Sequence, residues 1–474
     1  MKNAPIRVRF APSPTGHLHI GGVRTAIFNW LFAQSTGGTY SLRIEDTDVA
    51  RSTQEFLASQ LGSLEWTNLL PEQPIVYQMA RVQEHQAAAK KLLEQGKVYP
   101  CFCAPLDADM VIEELEQGVG RKYEGTCRNK PFTAQDLAQP HALRFRVPDD
   151  LDSVSFDDAI RGRITLQADQ FDDFVIIRRD GTPTYNFCVV VDDIFMQITQ
   201  VIRGEDHITN TFKQILFYRA LGAQEPQFAH LPLILGPSGN KLSKRDASTS
   251  VQEYRMQGFM ADALLNYLVR LGWSHGDQEV FTRAEMVQFF KLDDVGKKGA
   301  IFDIKKLLWL NGIYIRQSSS EQLLTAIAQM DDQKHALLSA SWTPKQLNAL
   351  FVQYQQRATT LLELSNDIIA LAHDQQSYDL HLLEKWKTAN TQSMLEAFIQ
   401  LLQQCGQPSH DSLLELAKAV CAQHNEKLVN LAQPLRLALT GSLQSPGVFE
   451  LITILGTDRA IKRIKKLVAQ QSAS

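Results

Sequence analysis

The sequence predicts a multidomain α/β protein that opens with a parallel β-sheet. Residues 7–10 form an extended segment, and Pro12 and Pro14 prevent a helix directly after it. Apolar residues then recur at helical spacing, and a further set alternates with polar residues as in a strand. The helical set is Val23, Ala26, Ile27, Trp30 and Leu31, and the alternating set is Tyr40, Leu42 and Ile44. A strand, a helix and a strand in this order indicate parallel pairing, with ligands expected beyond the carboxyl ends of the strands.

The chain changes character after this first unit. Residues 99–179 contain a cysteine cluster and short extended segments, such as 143–147 and 174–179, so we expect an inserted α+β domain. The apolar runs 187–191 and 231–235 indicate a return to strands, with helical periodicity after Ile208. Amphipathic stretches follow from about residue 251 to the end. We therefore predict five parts, with the following bounds: 1–98, 99–183, 184–250, 251–319 and 320–474.

Composition restricts the classes of function. The 474 residues carry 48 basic and 52 acidic side chains, so any nucleic-acid site must be a local basic surface. The first ten residues lack the apolar core of a secretory signal, and no apolar run approaches the roughly 20 residues that a membrane crossing needs. Six cysteines do not suggest a disulfide framework. We expect a cytoplasmic protein without a membrane partner.

Two short motifs suggest nucleotide chemistry. The loop PSPTGHLHIGG, residues 12–22, places His19, Gly21 and Gly22 at a helix N-terminus, where free N–H groups bind anions and glycine lets a phosphate approach. Alone, it is more typical of a plain strand-to-helix turn with two satisfied histidines. The second motif, KLSKR at residues 241–245, lies in a loop rich in glycine, proline and serine, and alone it is typical of a solvated basic turn.

Together the motifs resemble the HIGH and KMSKS signatures of class I aminoacyl-tRNA synthetases. Gly22 replaces the second histidine of HIGH, which is characteristic of the glutamyl-tRNA synthetases. The similarity extends through RFAPSPTG, RIEDTD (43–48), PTYNFCVVVDD (183–193), VIRGEDH (201–207) and NYLVRLGWSHGD (266–277). The chain thus resembles the bacterial-type glutamyl-tRNA synthetase family over nearly its whole length.

The resemblance implies a Rossmann-type catalytic domain that joins L-glutamate to tRNA through a glutamyl-adenylate, with ATP and Mg²⁺. It also implies that residues 99–183 bind the acceptor end, that 251–319 contact the stem and that 320–474 bind the anticodon. In this branch of class I the acceptor RNA helps to assemble the activation site. We expect a monomer.

The implied catalytic residues are His19, Lys241 and Lys244. A transition state that gathers negative charge at phosphorus needs positioned donors, which a histidine at a helix N-terminus and flexible lysines can supply. The implied ATP-binding residues are Pro12, Thr15, Gly16, His19, Gly21, Gly22, Lys241, Ser243 and Lys244.

Free glutamate has one ammonium and two carboxylates, so a selective pocket needs an acid and positive groups. The resemblance implies a pocket formed by Arg9, Ala11, Ser13, Glu45, Tyr185 and Arg203. Glu45 suits the ammonium, and the arginines suit carboxylates. We assign the side-chain carboxylate to Arg9. Separately, Glu45-Asp46 could be a solvated strand end, and Arg203 with Glu205 an exposed ion pair.

Cys101, Cys103 and Cys127 have the spacing of a zinc knuckle. Zinc-bearing relatives often place histidine two residues after the last cysteine, where this chain has Asn129. Tyr123 is the fourth ligand that we predict, as in the truncated glutamyl-Q relatives. The alternative is a set of free thiols.

Five bases follow Gly456, either as a solvated helix face or as a contact for tRNA phosphates; they are Arg459, Lys462, Arg463, Lys465 and Lys466.

Three other proteins compete with this interpretation. Glutaminyl-tRNA synthetases share the front half but typically have a β-barrel for the anticodon, whereas the sequence after Ser319 has helical period. The glutamyl-Q enzyme lacks the anticodon region. A non-catalytic tRNA-binding paralogue would not need His19, Glu45, Arg203 and Lys244. The RNA partner remains open between tRNA(Glu), tRNA(Gln) or both.

Overall fold

The computed structural model describes residues 5–103, 123–242, 250–374, 378, 380–386, 388–406 and 408–473. The chain forms two compact units. The first lies within Met1–Glu253 and Leu264–Ile304, and the second within Tyr254–Ala263 and Lys305–Ser474. In the described part of the chain, no helix combines the length and apolar character that crossing a membrane requires.

The predicted strand-helix-strand unit is confirmed. β1 (Arg7–Phe10) and β2 (Thr39–Ile44) pair in parallel, β3 (Val76–Tyr77) extends the sheet beyond β2, and helix Ile20–Thr36 connects the first two strands. The helix ends where Gly37 adopts a φ of +65°. That left-handed conformation favours glycine, which explains the position of the helix end.

A second sheet has the order β7-β6-β10-β9. Parallel pairing joins β6 (Ser153–Asp158), β10 (Gln227–Leu231) and β9 (Gln200–Gly204), whereas β7 (Gly162–Gln167) is antiparallel to β6. The Thr199 N–H donates to the Arg7 carbonyl (3.0 Å), which brings β9 beside β1. The carboxyl ends of β1, β2, β9 and β10 therefore lie at one edge, as expected for a ligand site in a parallel sheet.

One predicted strand is wrong. Residues 187–191 belong to helix Tyr185–Phe195. All five side chains are buried, so the run carries neither the period of a strand nor that of a helix, and periodicity could not separate the two. The run at 231–235 is divided at Pro232 between β10 and β11 (Ile234–Leu235).

The extended segments predicted within residues 99–179 are present. β4 (Val98–Cys101), β5 (Ala142–Phe145) and β8 (Phe174–Ile177) form an antiparallel sheet in the order β4-β5-β8. Cys101 ends the first of these strands. The small sheet thereby holds one side of the cysteine cluster.

The second unit is helical in its described residues, as predicted. Ser319 and Thr343 cap two of its helices, with Gln322 and Gln346 returning the hydrogen bond to each cap. Its hydrophobic core consists mainly of aliphatic and aromatic side chains. Within the first unit, β12 (Ala300–Ile301) pairs in parallel with β11. The remaining helices are Gln54–Trp66, Val82–Glu94, Ala134–Leu137, Ile208–Leu221, Val251–Met256, Ala261–Arg270, Arg283–Phe289, Ile304–Gln317, Ser320–Met330, Asp332–Ser341, Pro344–Tyr354, Leu361–Ala372, Leu380–Lys385, Ala389–Gln404, His410–Gln423, Leu428–Thr440, Val448–Leu455 and Thr457–Ala473.

The basic residues after Gly456 do not form one free face. Arg463 is 2% exposed and donates to the carbonyls of Leu439 (2.6 Å), Leu371 (2.7 Å) and His373 (2.8 Å). Lys462 contacts Asp374 at 2.7 Å. Arg463 thus has a structural role in this unit, which neither interpretation of the sequence foresaw.

Candidate active site

A cavity of about 270 Å³ lies at the carboxyl edge of the parallel sheets. It brings together nine of the predicted site residues: Arg9, Ala11, His19, Gly21, Gly22, Glu45, Tyr185, Arg203 and Lys241. Ser13 and Thr15 line an adjoining cavity that shares Glu45 and Tyr185. Ser243 and Lys244 lie outside the described residues.

The loop between β1 and the first helix is held by main-chain and amide contacts. The Pro12 carbonyl accepts from the Glu45 N–H at 2.9 Å. The Gln60 side chain donates to the carbonyls of Ser13 (3.0 Å) and Gly16 (2.7 Å). These bonds fix the path of the predicted phosphate loop beside the end of β2.

His19 caps the first helix, and its Nδ1 accepts from the Gly21 N–H at 3.0 Å. A Cβ at Gly22 would lie 3.0 Å from Leu18 Cδ1, so a larger residue there would require the Leu18 side chain to shift by a few tenths of an ångström. Ser250 forms an antiparallel bridge with His19, and the Val251 N–H donates to Leu18 O at 3.0 Å. The chain that leaves the KLSKR motif therefore returns to the first motif.

A buried cluster of charge lies beside this helix. Arg9 Nε contacts Asp193 Oδ1 at 3.0 Å, and Arg43 contacts the same oxygen at 2.5 Å and Glu45 at 3.0 Å. Burial alone would raise the pKa of Asp193, but Arg43 and Arg9 outweigh it and lower this pKa to about 2. Burial raises the pKa of Glu45, and Arg43 opposes that shift. Glu45 is 5% exposed, so the solvated strand end is ruled out.

Arg203 has a different environment. It is 6% exposed, and it donates to Thr211 Oγ1 (2.7 Å), Gln214 Oε1 (2.8 Å) and His230 Nε2 (3.3 Å), all neutral acceptors. Its Nη1 has no hydrogen-bond partner among the described residues. Glu205 pairs with Arg161 instead, so the alternative prediction of an exposed Arg203–Glu205 ion pair is wrong. Arg203 thus brings a guanidinium to the cavity wall without a carboxylate bound to it in the described structure.

Tyr185 and His207 form another part of the wall, with the Tyr185 hydroxyl 3.4 Å from His207 Nδ1. Burial raises the pKa of Tyr185 to about 12. Burial, aided by the charge of Arg203, lowers the pKa of His207 to about 4. Both side chains are therefore uncharged near neutral pH.

Sequence reasoning missed the roles of two buried aspartates near the candidate site. Asp193 holds Arg9 and Arg43, and the adjacent Asp192 accepts from Gln78 (3.0 Å), Arg81 (2.8 Å) and His85 (2.9 Å). The available signal was an acidic pair directly after a wholly apolar run. Because buried acids are almost always paired, that pattern indicates a buried ion-pair network.

The cysteine cluster is assembled as predicted. The ligand atoms of Cys101, Cys103 and Cys127 all lie within 4.8 Å of one another. The Tyr123 hydroxyl is 3.8 Å from Cys101 Sγ, whereas Asn129 accepts from Arg146 at 3.0 Å. The three sulfurs supply three of the four ligands of a structural zinc site, and the Tyr123 hydroxyl lies beside them.

The fold and the site together are typical of a nucleotide-binding class of protein. A parallel sheet carries a glycine-rich helix N-terminus at its carboxyl edge, and Ser250, downstream of the second motif, pairs with His19 there, as expected for a Rossmann-type domain that binds a nucleotide. Residues 5–309 match the family described as tRNA synthetases class I (E and Q), catalytic domain, and residues 322–468 match the anticodon binding domain. The chain belongs to this class I family of glutamyl- and glutaminyl-tRNA synthetases.

Similar proteins match nearly the whole length of this chain. Glutamate–tRNA ligase of Pelobacter propionicus is 43% identical over 97% of this chain and 98% of its own length, and that of Geobacter sulfurreducens is 43% identical over 98% of both. The crystal structure of a glutamate tRNA ligase from Elizabethkingia meningosepticum in complex with its amino acid is similar, with a TM-score of 0.85 and 30% identity over 98% of this chain and 99% of that one.

Proposed function

We propose that this protein is a glutamate–tRNA ligase, which joins L-glutamate to the 3′ end of tRNA(Glu) through a glutamyl-adenylate and releases AMP and diphosphate. The observation that carries the proposal is the composition of one cavity wall. A buried acid, Glu45, and a buried arginine without an acidic partner in the described structure, Arg203, line the same cavity as the helix N-terminus at His19.

For the amino acid, we propose that Glu45 receives the ammonium group and that Arg203 receives the side-chain carboxylate. The geometry favours Arg203 over Arg9, the residue to which the sequence assigned this carboxylate. Asp193 already compensates the charge of Arg9 at 3.0 Å, whereas the partners of Arg203 are neutral. A carboxylate gains more from an uncompensated guanidinium.

For ATP, the proposed phosphate contacts are the helix N-terminus at Gly21 and Gly22, together with His19 and Lys241. Mg²⁺ would arrive with ATP and be held largely by its phosphates. Lys244 would add positive charge as the pentavalent phosphorus centre forms during attack of the glutamate carboxylate on the α-phosphate.

We also propose a structural zinc ion at the knuckle, with Cys101, Cys103 and Cys127 as ligands and Tyr123 completing the set. The finer assignments stay proposals too: the five-part division, a monomer, a cytoplasmic location and Ser13, Pro12, Thr15, Gly16 and Ser243 as site residues.

Charging assays test the function directly. Purified protein should attach glutamate to tRNA(Glu) in the presence of ATP and Mg²⁺, and the Arg203→Ala variant should lose at least about tenfold more glutamate affinity than ATP affinity. Charging of tRNA(Gln) alone would make it a tRNA(Gln)-preferring enzyme, and charging of both would make it non-discriminating. A folded protein that charges neither would be the non-catalytic paralogue.

A further inference from the structure

A buried aspartate and a buried histidine are linked to Arg203 through its Nε. Asp158 ends β6 and His230 lies in β10, and both side chains are fully buried. Asp158 Oδ2 lies 2.6 Å from His230 Nδ1, and His230 Nε2 lies 3.3 Å from Arg203 Nε. The three residues therefore form a continuous hydrogen-bonded row from the sheet to the cavity wall.

The chemistry of the partners fixes the imidazole tautomer. An ionised carboxylate only accepts, so Nδ1 carries the hydrogen and Nε2 presents its lone pair to Arg203 Nε (3.3 Å) and to the Thr211 hydroxyl (3.1 Å). Burial, with the charge of Arg203 adding to it, lowers the pKa of His230. The ring is therefore neutral at neutral pH and acts as an acceptor.

We infer that Asp158 and His230 are positioning residues that hold Arg203 for the glutamate carboxylate through a neutral acceptor, an inference that rests on the proposed function. The imidazole helps to fix the orientation of the guanidinium. Because the imidazole ring lies between them, the carboxylate of Asp158 does not contact Arg203 directly. Direct contact with a carboxylate is what compensates Arg9. Arg203 is thus oriented without losing the charge that the substrate must meet.

Asp158 offers a selective way to reverse the tautomer. Its Oδ1 accepts from the N–H groups of Ile160 (3.0 Å), Arg161 (2.8 Å) and His230 (3.3 Å). In Asp158→Asn, these three donors require the amide oxygen at the Oδ1 position, which leaves the NH₂ group facing His230 Nδ1. The ring must then carry its hydrogen on Nε2, so it can donate to Thr211 Oγ1 (3.1 Å) but can no longer accept from Arg203 Nε.

The test compares steady-state charging of tRNA by three variants. Asp158→Asn should raise KM for glutamate about 10- to 100-fold, the size expected for one hydrogen bond to a charged group, and should leave KM for ATP within about twofold. His230→Asn keeps a donor for Asp158 but loses the acceptor near Arg203, so it should show the same increase. His230→Gln can place its amide oxygen near the Nε2 position and should recover part of the affinity.

The outcomes separate the two claims. Wild-type protein that fails to charge any tRNA with glutamate counts against the proposed function. Wild-type protein that charges, with variants that keep the wild-type KM for glutamate or raise KM for ATP equally, overturns the positioning role alone. If Asp158→Asn does not fold, the His230→Asn and His230→Gln pair decides, and equal KM values for glutamate in these two variants count against the inference.

Discussion

Asp193 and Arg9 form a buried ion pair, with Arg9 Nε 3.0 Å from Asp193 Oδ1, and the same oxygen accepts from Arg43. The Tyr218 hydroxyl donates to the other oxygen at 3.2 Å. Asp193 is therefore the acid to which two of the arginines near the candidate site are bound. Its removal would leave both guanidinium groups buried with less compensation.

We expect Asp193→Asn to lower the free energy of unfolding by about 3–5 kcal/mol, the range for breaking a buried pair. Urea unfolding at pH 7 measures it. Asp157→Asn is the control, because Asp157 is exposed and lies 3.6 Å from Arg163, and a surface pair contributes at most about 1 kcal/mol. A loss at Asp193 no larger than that at Asp157 would contradict the structural role.

His207 should make stability depend on pH. Its pKa is lowered to about 4 by burial, from an ordinary value near 6.5. A lowered histidine pKa means that the unfolded chain binds the proton more readily, so the contribution is present above about pH 6.5 and is lost as the pH falls towards 4.

The measurement is urea unfolding at pH 7 and pH 5. When the pH falls from 7 to 5, the free energy of unfolding of the wild-type protein should decrease by about 2 kcal/mol more than that of His207→Gln. Identical losses in the two proteins would show that His207 titrates normally in the folded state.

How far the sequence predicts this molecule depends on whether a feature is local. The first helix was predictable because its apolar spacing, its cap at His19 and its end at Gly37 all lie within 20 residues. The residues of the candidate site were predicted largely from motif similarity, and most of them line one cavity in the structure.

The features that were missed depend on long-range partners. The run at 187–191 is buried on every side, so its period carried no information. Arg203 and Glu205 are near in sequence, yet Glu205 contacts Arg161 and Arg203 contacts Thr211. Arg9, to which the sequence assigned the side-chain carboxylate, pairs with Asp193, which lies 184 residues away in the chain. Sequence identifies the charged groups but not which charges compensate each other.

Lys244 stays the strongest catalytic prediction from the motifs. We expect Lys244→Ala to lower ATP-dependent glutamate activation about 100-fold or more, the typical effect of losing one charge-stabilising donor. ATP–diphosphate exchange, measured in the presence of tRNA, gives the rate. Lys297→Ala, at an exposed lysine, is the control. A wild-type rate in Lys244→Ala would remove this residue from the mechanism.

The cysteine knuckle predicts up to one zinc ion per chain in protein purified without chelator. Cys103→Ser should lose most of the bound metal, because Cys103 Sγ lies 3.6 Å from Cys127 Sγ within the cluster. Cys405→Ser, outside the cluster, should retain it. Elemental analysis measures the zinc content per chain. Wild-type protein that contains no metal and is fully active would show that the cysteine cluster does not need zinc.

The two ends of the cavity differ in burial, and this difference bears on the role of tRNA. Glu45 and Arg203 are 5% and 6% exposed, and their contacts are in place without a ligand. His19 and Lys241, at the proposed phosphate end, are exposed. We therefore expect glutamate to find a preformed pocket, whereas ATP needs a further component to reach its productive geometry.

We predict that this component is tRNA, so that glutamyl-adenylate forms efficiently only when tRNA is bound. A site completed by the second substrate protects a hydrolysable adenylate and commits it to transfer. Such coupling requires two ATP geometries of different free energy, which tRNA binds unequally. Glutamate-driven ATP–diphosphate exchange should be measured with and without tRNA whose terminal ribose has been oxidised to block charging. The exchange rate should rise strongly when this tRNA is added. The Kd for glutamate, measured in the absence of ATP, should differ little between samples with and without the tRNA. Equal exchange in both samples would instead show that the ATP site is complete without RNA.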